Sequence, residues 1–280
     1  ELCKEKNATF KILPVTKDGG LDLSLISTLI DEHTKIFALV AISNVLGIIN
    51  PVADIIQAVR AKNPKTLIIV DAAQAVGHIP IDATAWDADF VAFSGHKMFG
   101  PTGTGVLYGK HTLLETLAPT AFGGGMVLDA CAEETLYKDS PARFEAGTPN
   151  IAGVIGLGAA VNFINTIGLS TLREHEQSLI AYTIRRLTET FGDALTIIGT
   201  TDIEQKSGII SFTLEGVHPH DTAHLLGEQG ICVRAGLQCA APLHDALDLS
   251  ATTRISLSVY NTEEDIEKLI VELKKIRTLF

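Results

Sequence analysis

The sequence predicts an α/β fold: a mainly parallel central sheet with flanking helices, followed by a smaller C-terminal α+β domain. Three observations carry this. Between residues 9 and 110, short β-rich runs alternate with helical stretches. Two of those runs, Leu67-Ile-Ile-Val70 and Phe90-Val-Ala-Phe93, are continuously apolar, as fully buried strands are. Beyond the long helical patterns after residue 151, strand and helix patterns mix in a different order. The expected division is 1–165 for the large domain and 166–280 for the small one.

In chain order, Thr9-Phe-Lys-Ile-Leu-Pro14 has the composition of a strand. Apolar positions 21, 23, 25, 26, 29 and 30 predict a helix over Leu21 to Glu32, with Asp22 or Ser24 near its start. Ile36 to Ile42 is expected as a buried strand, and Pro51 opens a helix running to Ala61, with Asn63-Pro64 ending it. Leu67 to Val70 then delivers Asp71 at a strand's carboxyl end, and Phe90 to Phe93 delivers Ser94 to Lys97. In open α/β sheets ligands sit at those ends. Residues 100–109 form a glycine-rich turn entering a short strand, and a loop holds Gly123-Gly-Gly125. Ile151 to Ile167 and Leu172 to Phe191 are expected as long helices, the second crossing into the small domain. That domain is expected to hold strands at Ile209–Leu214, Ile231–Arg234 and Arg254–Val259, and helices at Asp221–Glu228 and from Glu263.

The 280 residues are 46% hydrophobic and 20% charged, which supplies material for a large core. The formal net charge of −11 is spread along the chain, which argues against nucleic acid or an anionic membrane as the main partner. No apolar stretch has the length of a membrane span, and Glu1-Leu-Cys-Lys-Glu-Lys does not have a signal peptide's apolar segment. A cytoplasmic location is expected. Cys3, Cys131, Cys232 and Cys239 are widely spaced with no metal-site spacing, so neither disulfides nor a metal site is expected.

Asp71 and Gln74 in VDAAQ, and Ser94-Gly-His-Lys97 in SGHKMFGPTG, belong together at strand ends. VDAAQAVGHIPID followed by SGHKMFGPTGTGVLYG resembles fold-type I pyridoxal-phosphate enzymes of the class V aminotransferase group, and within it a group II (SufS-like) cysteine desulfurase. The chemistry fits the residue types. The cofactor is an electron sink that works best with its ring nitrogen protonated, which a carboxylate favours, and it bonds covalently to a partly desolvated lysine amine. The resemblance implies that Asp71 and Lys97 take those roles. It further implies that Gln74 bonds the ring's phenolic oxygen, that Ser94 and His96 hold the phosphate, and that Asn44 contacts cofactor and substrate. A lone Asp after a strand is often only a cap, and a lone Lys is usually solvated. Their fixed order with Gln74 and SGHK weighs against both bland readings. His33, His78 and His111 have no such context and are expected as surface or cap residues.

A second cluster is Val233-Arg-Ala-Gly-Leu-Gln-Cys-Ala-Ala-Pro-Leu243, with Thr253-Arg-Ile-Ser256 and Tyr260-Asn-Thr262 after it. It resembles the RxGxxCAxPL segment of group II desulfurases. The resemblance implies that Cys239 attacks the sulfur of bound L-cysteine, leaving a persulfide and alanine, and that Arg254 clamps the substrate carboxylate bidentately. Arg234 or Arg254 near the loop favours the anionic sulfur a nucleophile needs. Gly236 and Pro242 mark a loop around Cys239. Cys232, between Ile231 and Val233, fits a buried inert cysteine, as do Cys3 and Cys131 on less evidence. Leu237-Gln238 departs from the resemblance, since group II members commonly have histidines just before the cysteine.

Arg143-Phe-Glu-Ala-Gly-Thr-Pro-Asn150 resembles a family segment in which the threonine, here Thr148, reaches the phosphate of a neighbouring subunit. A homodimer with composite sites and a sulfur-acceptor protein are the implied partners. Family members also carry an upstream phosphate loop, a ring-stacking histidine and a dimer-facing arginine, none identifiable before residue 9; the chain is therefore expected to be a fragment or a shortened paralogue. The rival readings are a selenocysteine lyase, another class V lyase or aminotransferase, and a non-catalytic scaffold.

Overall fold

The computed structural model describes all 280 residues. In chain order the elements are α1 (Leu2–Glu5), α2 (Ile26–Leu29) behind a 3-10 turn at Leu23–Leu25, β1 (Ile36–Val40), α3 (Val52–Lys62), β2 (Leu67–Asp71) and β3 (Phe90–Ser94). A 3-10 turn at Gly95–Met98 leads to β4 (Gly105–Gly109), α4 (His111–Leu114), β5 (Val127–Ala130), β6 (Thr135–Tyr137), α5 (Ile151–Ile167) and α6 (Leu169–Phe191). Then come β7 (Leu195–Ile198), β8 (Ile209–Leu214), α7 (Pro219–Glu228), β9 (Arg234–Gly236), α8 (Ala241–Ala246), β10 (Thr252–Ser256) and α9 (Glu263–Arg277).

The chain forms two compact units. The first joins Glu1–Thr34, Ala41–Lys65 and Ser170–Phe280; the second joins Lys35–Val40 and Thr66–Leu169.

The second unit is built on a four-stranded sheet in the order β1-β2-β3-β4. The first three strands are parallel and β4 is antiparallel to β3. Ile68, Val70 and Val91 are buried, as their continuously apolar runs require. Register is pinned at the amino end of β3 by Asp89. Its carboxylate accepts the Ile68 N–H at 2.8 Å and faces Lys110 Nζ, just beyond β4, at 2.9 Å. Burial pulls Lys110 down, but hydrogen bonds to Asp87 and Asp89 outweigh it and hold the amine above the usual lysine range. Asn150 caps α5, its side chain accepting the Gly153 N–H at 3.0 Å.

The first unit centres on an antiparallel sheet in the order β7-β8-β10-β9. Ile210, Phe212 and Leu214 of β8 meet Leu179, Ile180 and Leu187 of α6 and the α9 stripe Ile266, Leu269, Ile270 and Leu273 in one core. That stripe has the spacing of one helical face. Helix α9 opens with a capping box between Thr262 and Asp265, has acidic residues in its first turn and basic ones in its last.

Several expected elements differ. The strand expected as buried over Ile36–Ile42 ends at Val40 and lies at the sheet edge, where Ile36 and Val40 are exposed. The strand expected at Arg254–Val259 lies at Thr252–Ser256, the register that pairs it with β8 and β9. Thr9–Pro14 is not a strand: Phe10 and Ile12 are exposed and the segment joins no ladder, its neighbourhood holding only a Val15–Leu21 bridge. β propensity cannot form a strand without a partner to bond. The helix expected over Leu21–Glu32 shrinks to the 3-10 turn and α2, because Asp22 caps Ser24 and Ile30 turns extended at ψ 128°. The strand expected at Ile231–Arg234 lies at Arg234–Gly236, where Arg234 pairs with Arg254 across to β10. No single helix is long and apolar enough to cross a membrane.

Candidate active site

The two sets of residues singled out by the sequence fall in different units. Asp71, Gln74, Ser94, His96, Lys97 and Thr148 belong to the second; Asn44, Arg234, Cys239 and Arg254 belong to the first.

In the second unit Asp71 ends β2 and Ser94 ends β3, and the parallel register opposes Asp71 to Ala92, so both emerge at one sheet edge. Asp71 Oδ1 accepts the Ala73 N–H at 2.8 Å, which fixes the carboxylate and leaves Oδ2 without a partner. Lys97 lies in the 3-10 turn, half-buried, its amine in no hydrogen bond or ion pair. Gln74 and Ser94 are half-buried and His96 is exposed. The turn is set by its backbone. The Gly95 N–H donates to Thr104 O at 2.9 Å, the Gly100 N–H donates to Gly95 O at 2.9 Å, and Phe99 reverses the chain at φ 65°. A Cβ on Gly95 would come within 2.4 Å of Thr104 Oγ1, so only glycine permits this approach. Thr148 is exposed, next to Gly147, whose N–H donates to Gly124 O at 2.7 Å.

In the first unit Cys239 is exposed on the loop between β9 and α8, as Gly236 and Pro242 predicted. Arg234 Nη2 donates to its sulfur at 3.4 Å. Arg254, opposite Arg234 in the β10–β9 ladder, is half-buried. Its Nη1 donates to Asn44 O at 2.8 Å, while its Nε is buried without an acceptor. Burial and then the Arg234 charge lower this guanidinium below the usual arginine range, and Cys239 offsets part of that. Asn44 Nδ2 donates to Gln238 O at 2.6 Å, so the Asn44 loop and the cysteine loop are directly bonded.

Sequence reasoning did not find the side chains that hold the Asn44 loop. Three successive carbonyls are capped: Asn44 O by Arg254, Val45 O by Ser211 Oγ at 2.5 Å, and Leu46 O by Lys206 Nζ at 2.9 Å. Lys206 is fully buried, which pushes its amine down to about 8. The available signal was a lysine and a serine bracketing the apolar run Lys206-Ser-Gly-Ile-Ile-Ser211.

The other cysteines need a correction. Cys131 and Cys232 are exposed and Cys3 is half-buried, so none is the buried inert residue expected. Cys232 loses its strand neighbours because the ladder starts only at Arg234. His33 and His111 lie on the surface as expected.

The class V aminotransferase family model matches residues 1–269. A probable cysteine desulfurase of Streptomyces coelicolor is 44% identical over 279 residues, covering 100% of this chain and 66% of its own length. A cysteine desulfurase of Haloferax volcanii is 41% identical over 280 residues, covering 100% and 65%. The chain thus spans about two thirds of the length of the curated relatives it matches. Among solved structures, the apo cysteine desulfurase of Thermococcus onnurineus NA1 superposes with a TM-score of 0.94 at 34% identity, covering 100% of this chain and 68% of that one. The Escherichia coli cysteine desulfurase CsdA gives 0.93 at 34%, with the same coverages. The fold is that of fold-type I pyridoxal-phosphate transferases, and the chain belongs to the class V aminotransferase family.

Proposed function

We propose that this chain carries the active-site residues of a pyridoxal-phosphate cysteine desulfurase. One observation carries the reading: a bonded set joins Arg254, Asn44, Gln238, Arg234 and Cys239, in which Arg234 donates to an exposed thiol and Arg254, its partner across the ladder, keeps a buried Nε–H without an acceptor. That is the donor set for a small amino acid with a carboxylate at one end and sulfur at the other. The names of the relatives support the same activity.

The residues of the second unit fit pyridoxal phosphate by the chemistry of their free groups. Asp71 Oδ2 is open to accept a protonated ring nitrogen, the Lys97 amine has no competing partner, and Gln74, Ser94 and His96 offer donors at the same edge. When bound, the cofactor supplies an electron sink. Lys97 would hold it covalently and would move a proton at the substrate α-carbon. Asp71 would keep its ring nitrogen protonated, and Thr148 would contact the phosphate held by a second copy of the chain. Arg254 binds the carboxylate of L-cysteine. The Cys239 sulfur bonds to the substrate sulfur as the substrate Cβ–S bond breaks. The electron pair stays with carbon, a proton joins it, and L-alanine and a Cys239 persulfide result.

The test is alanine release from L-cysteine by the chain supplied with pyridoxal phosphate. Wild type releases alanine, while Cys239→Ala and Lys97→Ala do not. Alanine release that survives Cys239→Ala contradicts the assignment and favours a lyase needing no acceptor thiol.

A further inference from the structure

Gln238 and Cys239 are consecutive non-glycine residues in the left-handed region, at φ 52° and 62°. Each costs on the order of 1–3 kcal/mol of backbone strain, and the pair persists only where its surroundings over-determine it. The determinant is the Gln238 side chain, which is 2% exposed. Its Nε2 lies 3.1 Å from Arg234 O, 3.3 Å from Thr252 O and 3.4 Å from Gly236 O, so two N–H groups serve three carbonyls. Those acceptors fix the amide's orientation, because the flipped amide would set an oxygen against three oxygens. Its Oε1 is buried without a donor, which shows that the side chain is held by its nitrogen alone. The Gln238 carbonyl is held in turn by Asn44 Nδ2.

We infer that Gln238 is a positioning residue for Cys239: its amide, bonded to the carbonyls of Arg234, Gly236 and Thr252, fixes the cysteine loop so that the sulfur meets Arg234. One side chain holds both ends of the Arg234–Cys239 contact, since it bonds the Arg234 carbonyl and directly precedes Cys239. Gln238 therefore has a role of its own, in which a donor amide aims the thiol. This rests on Cys239 being the sulfur acceptor. The geometric claim needs neither cofactor nor substrate to test.

The experiment measures the rate of Cys239 alkylation by iodoacetamide in the native chain, by peptide mass spectrometry, with exposed Cys131 and Cys232 as internal references. Arg234→Gln slows Cys239 about fivefold, the scale of one lost hydrogen bond. Gln238→Met, of similar length with no donor, slows it comparably. The double variant is no slower than the slower single one, and the references do not change. A wild-type Cys239 rate in Gln238→Met, or effects that multiply in the double variant, overturns the inference. If Gln238→Met speeds alkylation of half-buried Cys3, signalling unfolding, Gln238→Asn replaces it, since the shorter side chain withdraws the amide from the carbonyls. Alkylation reports the clamp and alanine release reports the desulfurase reading, so the two fail separately.

Discussion

The two site regions are positioned by different means. In the second unit, chemistry sits on side chains with few or no partners, placed by backbone: two parallel strand ends, a glycine approach and a 3-10 turn. In the first, the cysteine loop and the Asn44 loop are tied by side chains, through Arg254, Ser211, Lys206, Asn44 and Gln238. Function and stability are therefore separable at the lysine site and coupled at the cysteine site.

The largest contrast is expected between Lys97→Ala and Arg254→Ala. Losing Lys97 removes the cofactor's anchor as well as proton transfer, the latter alone worth roughly 10²–10⁴-fold in turnover, while stability stays within about 0.5 kcal/mol because the amine has no partner. Losing Arg254 removes carboxylate binding and also strips the donor from Asn44 O, which costs about 1–3 kcal/mol. Urea unfolding beside alanine release separates them, and equal stability losses break the comparison.

A serine pair sharpens it. Ser211→Ala orphans Val45 O in a buried position and destabilises by about 1–3 kcal/mol, whereas Ser94→Ala, with no bonded partner, leaves the unfolding midpoint unchanged. Chemical denaturation of both variants checks this.

A third contrast is in pH. The folded chain holds Lys206 at about 8, below its ordinary 10.5. Between those values the unfolded chain binds more protons, so stability rises with pH across that window. The neutral amine still donates to Leu46 O, so its bond survives deprotonation. Lys206→Met removes this rise, and an unchanged slope in urea titrations at pH 8 and 10 contradicts the burial account.

The lysine site was legible in the sequence because it is written in local terms. Strand ends, glycines and ordered polar residues within a 26-residue span place Asp71 and Lys97 without reference to anything distant. The core strands Leu67–Val70, Phe90–Phe93 and Ile209–Leu214 were legible for the same reason. The cysteine site was legible only as a motif. Its supports join residues 44–46 to residues 206, 211, 238 and 254, separations that no periodicity encodes. The displacement of β9 belongs to that class too, since it follows the pairing of Arg234 with Arg254, which no local pattern encodes. Thr9–Pro14 failed from the opposite direction, with strand composition and no ladder to join.

The exposure of Cys131 and Cys232 makes the central claim directly measurable, because three exposed thiols then differ only in their surroundings. The chain, loaded with pyridoxal phosphate and incubated with L-cysteine, is digested without reductant and each cysteine peptide is weighed. The account predicts one added sulfur atom on Cys239, absent from Cys131 and Cys232 and lost in Lys97→Ala. Added sulfur spread equally over the exposed cysteines, or absent from Cys239 while alanine is released, would contradict it.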